Sequence, residues 1–135
     1  MITADGNNGV IIMLGCNFGD CSFNLDKATE ALREYIDIEA SSPTISSPDI
    51  TGKSFDYLNR ILYGKSKLTL GELKTSVKQL EISMGRNRST PTEVIIDIDI
   101  VVYNNNIIKP SEYNASHFQT LFEKLGLPLL RIEKK

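Results

Sequence analysis

This 135-residue sequence contains only two cysteines, and it has neither a long apolar run nor an excess of basic charge. The two cysteines, Cys16 and Cys21, match neither a disulfide framework nor a metal-binding pattern, so we expect two free thiols. No apolar run approaches the ~20 residues that cross a bilayer. The N-terminal residues lack the basic region of a secretory signal. Together these absences predict a cytoplasmic protein without a membrane partner.

The charge balance narrows the choice of partners further. Fifteen Lys and Arg residues face 17 Asp and Glu residues, which gives a formal net charge of −2. This balance argues against nucleic acid as the main partner, although a local basic patch stays open. What is present is ordinary globular composition, with 41% hydrophobic and 24% charged residues. We therefore expect one domain over residues 1–135, without internal repeats.

The spacing of apolar residues predicts strands that alternate with helices. A final amphipathic helix and a short edge strand follow the main pattern. The order β-α-β-β-α-β is typical of a ferredoxin-like α+β sandwich, an antiparallel sheet with helices on one face, here with a C-terminal extension. The predicted strands lie at 9–15, 37–46, 55–66, 93–103 and 107–110, and the helices at 25–36, 69–85 and 112–126.

Local signals predict where the helices begin and end. Ser22 or Asn24 could cap the first helix. Thr69, with Glu72 three residues later, is the signature of a capping box for the second helix. Gly85 suits the position just after that helix. Residues 46–54 are rich in Ser, Pro, Gly and Asp and predict a mobile surface loop.

The stretch "IIDIDIVVY" carries two aspartates within an otherwise apolar strand. Asp97 and Asp99 are two residues apart, so they point to the same face, about 7 Å from each other. We expect this to be the face without helices, where the carboxylates avoid desolvation, with the strand's isoleucines turned toward the helices. Paired carboxylates suit Mg²⁺, which is commonly held by one or two of them plus substrate phosphates. A solvated strand face remains the alternative.

Polar residues near the predicted site give weaker signals. Tyr57 and Asn59 share one face of their strand, and a buried asparagine amide needs hydrogen-bond partners, which favours a ligand-facing surface. A place in the core is the alternative for Tyr57. Glu81, Arg86 and Arg88 precede the aspartate strand, and guanidinium groups near carboxylates suit polyphosphate binding. An ordinary salt-bridged surface is the alternative for the arginines.

Four segments, "LGCNFGD", "DYLNRIL", "LEISMGRNR" and "IDIDIVVY", occur in an order that resembles the 6-hydroxymethyl-7,8-dihydropterin pyrophosphokinase family. The resemblance covers about residues 10–103. It implies an enzyme of folate biosynthesis that uses two Mg²⁺ ions and transfers pyrophosphate from ATP to a pterin alcohol, giving AMP and the pterin diphosphate. The implied partners are these small molecules, not nucleic acid or a membrane, and we expect a monomer or weak dimer.

The resemblance also implies roles for individual residues. Asp97 and Asp99 match the family's metal-binding aspartates, and together with Arg86 they would be catalytic. The remaining implied roles are ATP binding by Glu81, Arg86, Arg88 and Lys109, and pterin binding by Tyr57, Asn59 and Phe118.

The sequence departs from the family pattern at several positions. It has no tryptophan, and the position nearest to a second catalytic arginine is Val94. A family Pro-His pair reads Pro110-Ser111, and the usual Gly-Ser-Asn reads Gly15-Cys16-Asn17. Two alternatives therefore stay open: a catalytically degenerate protein that binds pterin or nucleotide on the same fold, and a ferredoxin-like interaction domain.

Overall fold

The computed structural model describes residues 8–48, 52, 55–86, 89 and 92–126. Among these residues, six strands form one antiparallel sheet that carries helices on both faces. The strands are β1 Asn8–Cys16, β2 Asp37–Ser41, β3 Ile45–Ser47, β4 Tyr57–Ser66, β5 Asp97–Tyr103 and β6 Asn106–Ile107. The helices are α1 Cys21–Leu32, α2 Leu70–Ser83, α3 Pro110–Tyr113 and α4 Ser116–Lys124.

The sheet order is β2-β4-β1-β5-β6, and β3 pairs with β4 beyond the end of β2. All strand pairs are antiparallel. The two βα units thus place β1 and β4 at the centre of the sheet, with β5 on one side and β2 on the other. This is the strand order of a ferredoxin-like fold, and the predicted α+β class is confirmed.

Alternation along the central strands builds a core on each face of the sheet. Val10, Ile12 and Leu14 of β1 pack under α1 and α2, while Ile11 and Met13 point to the opposite face. The isoleucines around the aspartates lie in the first of these cores, as predicted. They are Ile96, Ile98 and Ile100.

The face opposite α1 and α2 is partly covered, so the expectation of an open face is wrong. Helices α3 and α4 lie on it, α3 against β5 and α4 against β3 and β4. The predicted single helix over 112–126 is in fact these two helices, separated by Asn114 and Ala115. Three rings of this pair form a cluster with centroids 5.4–6.4 Å apart, contributed by Tyr113, Phe118 and Phe122.

The predicted helix boundaries are confirmed for α2 and corrected for α1. Thr69 and Glu72 form the reciprocal capping box, and Gly85 follows α2 with a φ of 101° that favours glycine. The N-cap of α1 is Asp20, whose carboxylate accepts a hydrogen bond from the backbone N–H of Phe23. The proposed caps at 22 and 24 were wrong because both residues already lie inside the helix.

The predicted strand 37–46 is interrupted at Ser42. Its backbone N–H donates to the Ile61 carbonyl and its hydroxyl accepts from the Ile61 N–H, both at 2.9 Å. Ser42 thus completes the backbone hydrogen bonding of β4 at Ile61, in the gap between β2 and β3. The predicted loop 46–54 begins with two residues of β3, and residues 49–51 and 53–54 of it lie outside the described residues.

Cys16 and Cys21 form a disulfide, so the expectation of free thiols is wrong. The bond joins the last residue of β1 to the first residue of α1, whose Cα atoms are 5.4 Å apart, within bridging range. Because disulfides are rare in reducing compartments, the cysteines give no support to a cytoplasmic location. None of the helices in the described part of the chain has both the length and the hydropathy of a membrane span.

Candidate active site

Asp97 and Asp99 lie side by side on β5, opposite Gly15 and Met13 of β1. Asp99 is buried, with 9% of its surface exposed, and Asp97 is half-buried. The expectation that both carboxylates avoid desolvation is therefore wrong, since the chain around α3 returns over this part of the sheet. Lys109, the residue before α3, places its ammonium nitrogen 2.5 Å from Asp99 Oδ1.

The surroundings of the pair disfavour two full negative charges. Burial, together with the charge of Asp97, raises the pKa of Asp99 to about 6, although Lys109 acts in the opposite direction. Burial also raises the pKa of Asp97; the nearby Glu81 carboxylate adds to this effect, and contacts with Asp99 and Arg86 oppose it. A cation placed between the carboxylates would relieve this repulsion. The arrangement of the pair therefore suits a cation by electrostatics as well as by spacing.

The donor set fits Mg²⁺ better than a metal that proteins enclose completely. Among the described residues, no group of three or more His, Cys, Asp or Glu side chains could hold a metal ion. Two carboxylates alone leave most of an octahedral shell to other ligands. Mg²⁺ is typically bound in this way, by one or two carboxylates completed with water and substrate phosphates.

Two clefts meet at the aspartate pair, and both include Asp97 and Asp99 in their walls. We call them the amide cleft and the lysine cleft, with volumes of 260 Å³ and 320 Å³. The amide cleft is further lined by Met13, Gly15, Ser47, Pro48, Tyr57, Asn59, Glu112 and His117. The lysine cleft is further lined by Lys74, Val77, Lys78, Glu81, Ile98, Ile100 and Lys109.

The amide cleft presents a fixed amide and an aromatic ring around a glycine. The Asn59 side-chain nitrogen donates to Ser47 Oγ at 2.8 Å and to the Ile45 carbonyl at 3.4 Å, so β3 sets the orientation of the amide. A Cβ at Gly15 would lie 3.5 Å from the Tyr57 ring and 3.6 Å from Asn59 Oδ1. Glycine therefore leaves open a space bordered by these two groups, which suits a flat polar heterocycle.

Glu81 and Arg86 fix the start of β5. Within the described residues, the outer edge of β5 pairs with β6 only at Val102 and Tyr103, so Ile98 has no described strand neighbour there. Glu81 replaces that neighbour, since its carboxylate accepts the Ile98 N–H at 2.7 Å. Arg86 donates to the Ile96 carbonyl at 3.0 Å and lies 3.6 Å from Asp97 Oδ1. Both side chains thus hold the strand that carries the aspartates.

The structure brings most of the predicted site residues together. Tyr57 and Asn59 line the amide cleft, and Glu81 and Lys109 line the lysine cleft. Arg86 contacts Asp97 but is not among the described residues that line either cleft, and Arg88 lies outside the described residues.

Phe118 does not occupy the predicted pterin-binding position. It is 0% exposed in the core under α4, where it packs against neighbouring rings and Leu121, so it is not available to stack on a ligand. His117, the preceding residue, faces the amide cleft instead. Val94, at the position nearest to the second family arginine, is buried. Its backbone N–H donates to Asn17 Oδ1 at 2.7 Å, and its carbonyl accepts from the Asn17 backbone N–H at 2.9 Å.

Several cleft residues were missed by sequence reasoning. Lys74 and Lys78 had a usable signal, because they precede Glu81 by seven and three residues and so share its side of α2. Glu112 and His117 had none, because their position depends on how α3 and α4 fold back over the sheet. Burial, with the charge of Asp99, raises the pKa of Glu112.

Comparison with known proteins agrees with this geometry. The family model described as 7,8-dihydro-6-hydroxymethylpterin-pyrophosphokinase (HPPK) matches residues 11–135. A 2-amino-4-hydroxy-6-hydroxymethyldihydropteridine pyrophosphokinase of Aquifex aeolicus is 33% identical over 130 residues, covering 92% of this chain and 79% of that protein. The folic acid synthesis protein FOL1 of Dictyostelium discoideum is 32% identical over 116 residues, covering 83% of this chain but 17% of that protein. The resemblance in the four sequence segments is thereby confirmed, and the chain belongs to the family of 7,8-dihydro-6-hydroxymethylpterin pyrophosphokinases.

Proposed function

We propose that this protein transfers pyrophosphate from ATP to 6-hydroxymethyl-7,8-dihydropterin in a Mg²⁺-dependent reaction of folate biosynthesis. Family membership supports the pterin pyrophosphokinase activity. The observation that carries the finer assignment is the position of Asp97 and Asp99 in the shared wall of two clefts with different chemistry. A reaction that joins a polyphosphate to a heterocyclic alcohol needs such an arrangement.

The amide cleft is the proposed pterin site. The Asn59 amide nitrogen is engaged with Ser47 and the Ile45 carbonyl, so its Oδ1, which borders the space at Gly15, is the atom that would accept a hydrogen bond from an N–H group of the pterin. The Tyr57 ring offers an apolar surface beside the heterocycle. A pterin held in this way directs its hydroxymethyl group toward the aspartates. With Phe118 buried, Tyr57 and Asn59 are the predicted pterin residues that line the amide cleft.

The lysine cleft is the proposed site of the ATP phosphates. Asp97 and Asp99 would hold Mg²⁺, two ions by our expectation, and bound Mg²⁺ would neutralise charge that develops on the phosphates. In the reaction, the pterin hydroxyl oxygen forms a bond to the β-phosphorus of ATP and loses its proton. The bond from the β-phosphorus to the oxygen of the α-phosphate breaks, and AMP leaves.

In this proposal, Arg86 acts mainly by holding Asp97 and the Ile96 carbonyl in place. Lys109 contacts Asp99 in the metal-free protein, and it would be free to contact phosphate if Mg²⁺ replaced it beside Asp99. Glu81 has one oxygen committed to the Ile98 N–H, so its part in ATP binding includes shaping the cleft wall. Arg88 is proposed as a further phosphate ligand on the resemblance alone.

The test is AMP release from ATP and Mg²⁺, with and without 6-hydroxymethyl-7,8-dihydropterin. Pterin-dependent AMP formation, abolished by removal of Mg²⁺ with a chelator, is the expected result. The buried Val94, where a catalytic arginine is expected from the resemblance, favours one alternative outcome. If the folded protein binds both ligands and forms no AMP, it is a catalytically degenerate binding protein on this fold.

A further inference from the structure

Lys74 and Lys78 are two lysines of α2 to which no role has yet been given. They lie one helical turn apart, on the side of α2 that also carries Glu81, and both line the lysine cleft. Both residues are exposed, and within the described part of the chain neither forms an ion pair. Lys109, the third lysine of the cleft, is engaged with Asp99.

The arrangement of charge in the cleft is asymmetric. Three lysines and three carboxylates line it, so the formal charges balance, but they are not evenly distributed. Asp97 and Asp99 lie on the β5 wall, and Lys74 and Lys78 lie on the α2 wall. A divalent cation alone neutralises only the carboxylates of the β5 wall, and a neutral ligand neutralises neither wall. A polyphosphate that carries a divalent cation satisfies both, because its metal faces the carboxylates while its oxygens face the ammonium groups.

We propose that Lys74 and Lys78 bind the polyphosphate chain of ATP directly and supply positive charge on the wall of the cleft that faces the aspartates. The inference rests on the proposed function for the identity of the ligand. It adds two specificity-determining residues that act on phosphate rather than on adenosine or pterin. A solvated helix face is the competing explanation, and it predicts no effect of these lysines on any ligand.

The experiment compares the double variant K74A/K78A with the control K27A/K124A. Lys27 and Lys124 are exposed lysines of α1 and α4 that lie outside both clefts, so the control makes the same change in net charge. Binding of ATP and of AMP is measured by calorimetry, in Mg²⁺ and again in chelator, and the KM values for ATP and pterin are measured where turnover is present. Thermal melting shows that each variant is folded.

We expect K74A/K78A to weaken ATP binding by about tenfold to a hundredfold and AMP binding by much less, both with and without Mg²⁺. The KM for ATP should rise while the KM for pterin stays constant, and the conservative variant K74R/K78R should restore ATP binding. If K74A/K78A binds ATP as the control does, the inference is overturned and the proposed function is untouched. If the wild-type protein binds ATP with this lysine dependence but forms no AMP, the proposed function fails and the inference stands. If the wild-type protein does not bind ATP, both fail.

Discussion

The amide cleft and the lysine cleft share Asp97 and Asp99 but differ in every other wall residue. The amide cleft is built from the sheet surface, where a glycine, an oriented amide and an aromatic ring leave space for a flat ligand. The lysine cleft is built where α2 packs against β5 and supplies lysines. In the proposed function, the aspartates serve both substrates, and the other wall residues of each cleft bind one substrate only.

Loss of either aspartate should have the largest effect, since the pair belongs to both clefts. Asp97→Ala and Asp99→Ala should each lower pterin-dependent AMP formation by about 10²–10³-fold or more, because each removes a metal-binding carboxylate at the reacting phosphates. The measurement is steady-state AMP release. Asp37→Ala, which removes an exposed carboxylate on β2, is the matched control. Full activity in both aspartate variants would exclude the metal assignment.

Loss of the oriented amide should affect one cleft only. Asn59→Ala should raise the KM for pterin by about tenfold or more and leave the KM for ATP nearly unchanged, because a hydrogen-bonding group is removed at the heterocycle and not at the phosphates. Asn114→Ala, at an exposed asparagine after α3, is the control. A parallel rise in both KM values would mean that Asn59 maintains the site as a whole rather than one of its clefts.

Reduction of the disulfide should destabilise the protein by about 2 kcal/mol, because the bond closes a short loop and restricts the unfolded chain. The bond follows Gly15, which borders the amide cleft, so pterin binding should weaken more than ATP binding. Thermal melting and ligand titration with and without a dithiol reductant measure both effects, and Cys16→Ser/Cys21→Ser should reproduce them. Two titratable thiols in the unreduced native protein would contradict the disulfide.

The last predicted effect concerns the pH dependence of stability in the metal-free protein. The folded state raises the pKa of Asp99 to about 6, above the ~4 of an unfolded aspartate, so ionised Asp99 opposes folding. Stability from this group is present at low pH and is lost as pH rises from about 4 to 6. Asp99→Asn should therefore raise the unfolding free energy by about 1–3 kcal/mol at pH 8, and the difference should shrink toward pH 4. A destabilised Asn variant at pH 8 would show that Lys109 outweighs burial.

The sheet and the aspartate strand were predictable because their signals are local. Alternation of Ile and Asp in β5 directly indicates which residues share each face of the strand. The Thr69–Glu72 capping box is recognised from only four residues. The packing of α3 and α4 was not predictable in this way. Their break after Tyr113 turns Phe118 into the core and His117 toward the amide cleft, and a single amphipathic pattern does not specify that rotation. The burial of Asp99 follows from the same packing.

The disulfide and the lysine cleft were missed for different reasons. Two cysteines five residues apart carry no pairing signal by themselves, and only the tight connection between β1 and α1 brings them together. Lys74 and Lys78 carried a helical signal relative to Glu81, yet exposed lysines on a helix are usually solvated. Their significance depends on the nearby edge of β5, which lies more than fifteen residues away in sequence.

The measurement that tests the two-cleft account most directly is simultaneous binding. Calorimetric titration of a non-hydrolysable ATP analogue, in Mg²⁺, should be carried out on the free protein and on the protein saturated with 6-hydroxymethyl-7,8-dihydropterin. The account predicts a ternary complex in which each ligand binds in the presence of the other, with Asn59→Ala weakening only the pterin and K74A/K78A only the nucleotide. Mutually exclusive binding of the two ligands would contradict it, because both would then occupy one cleft.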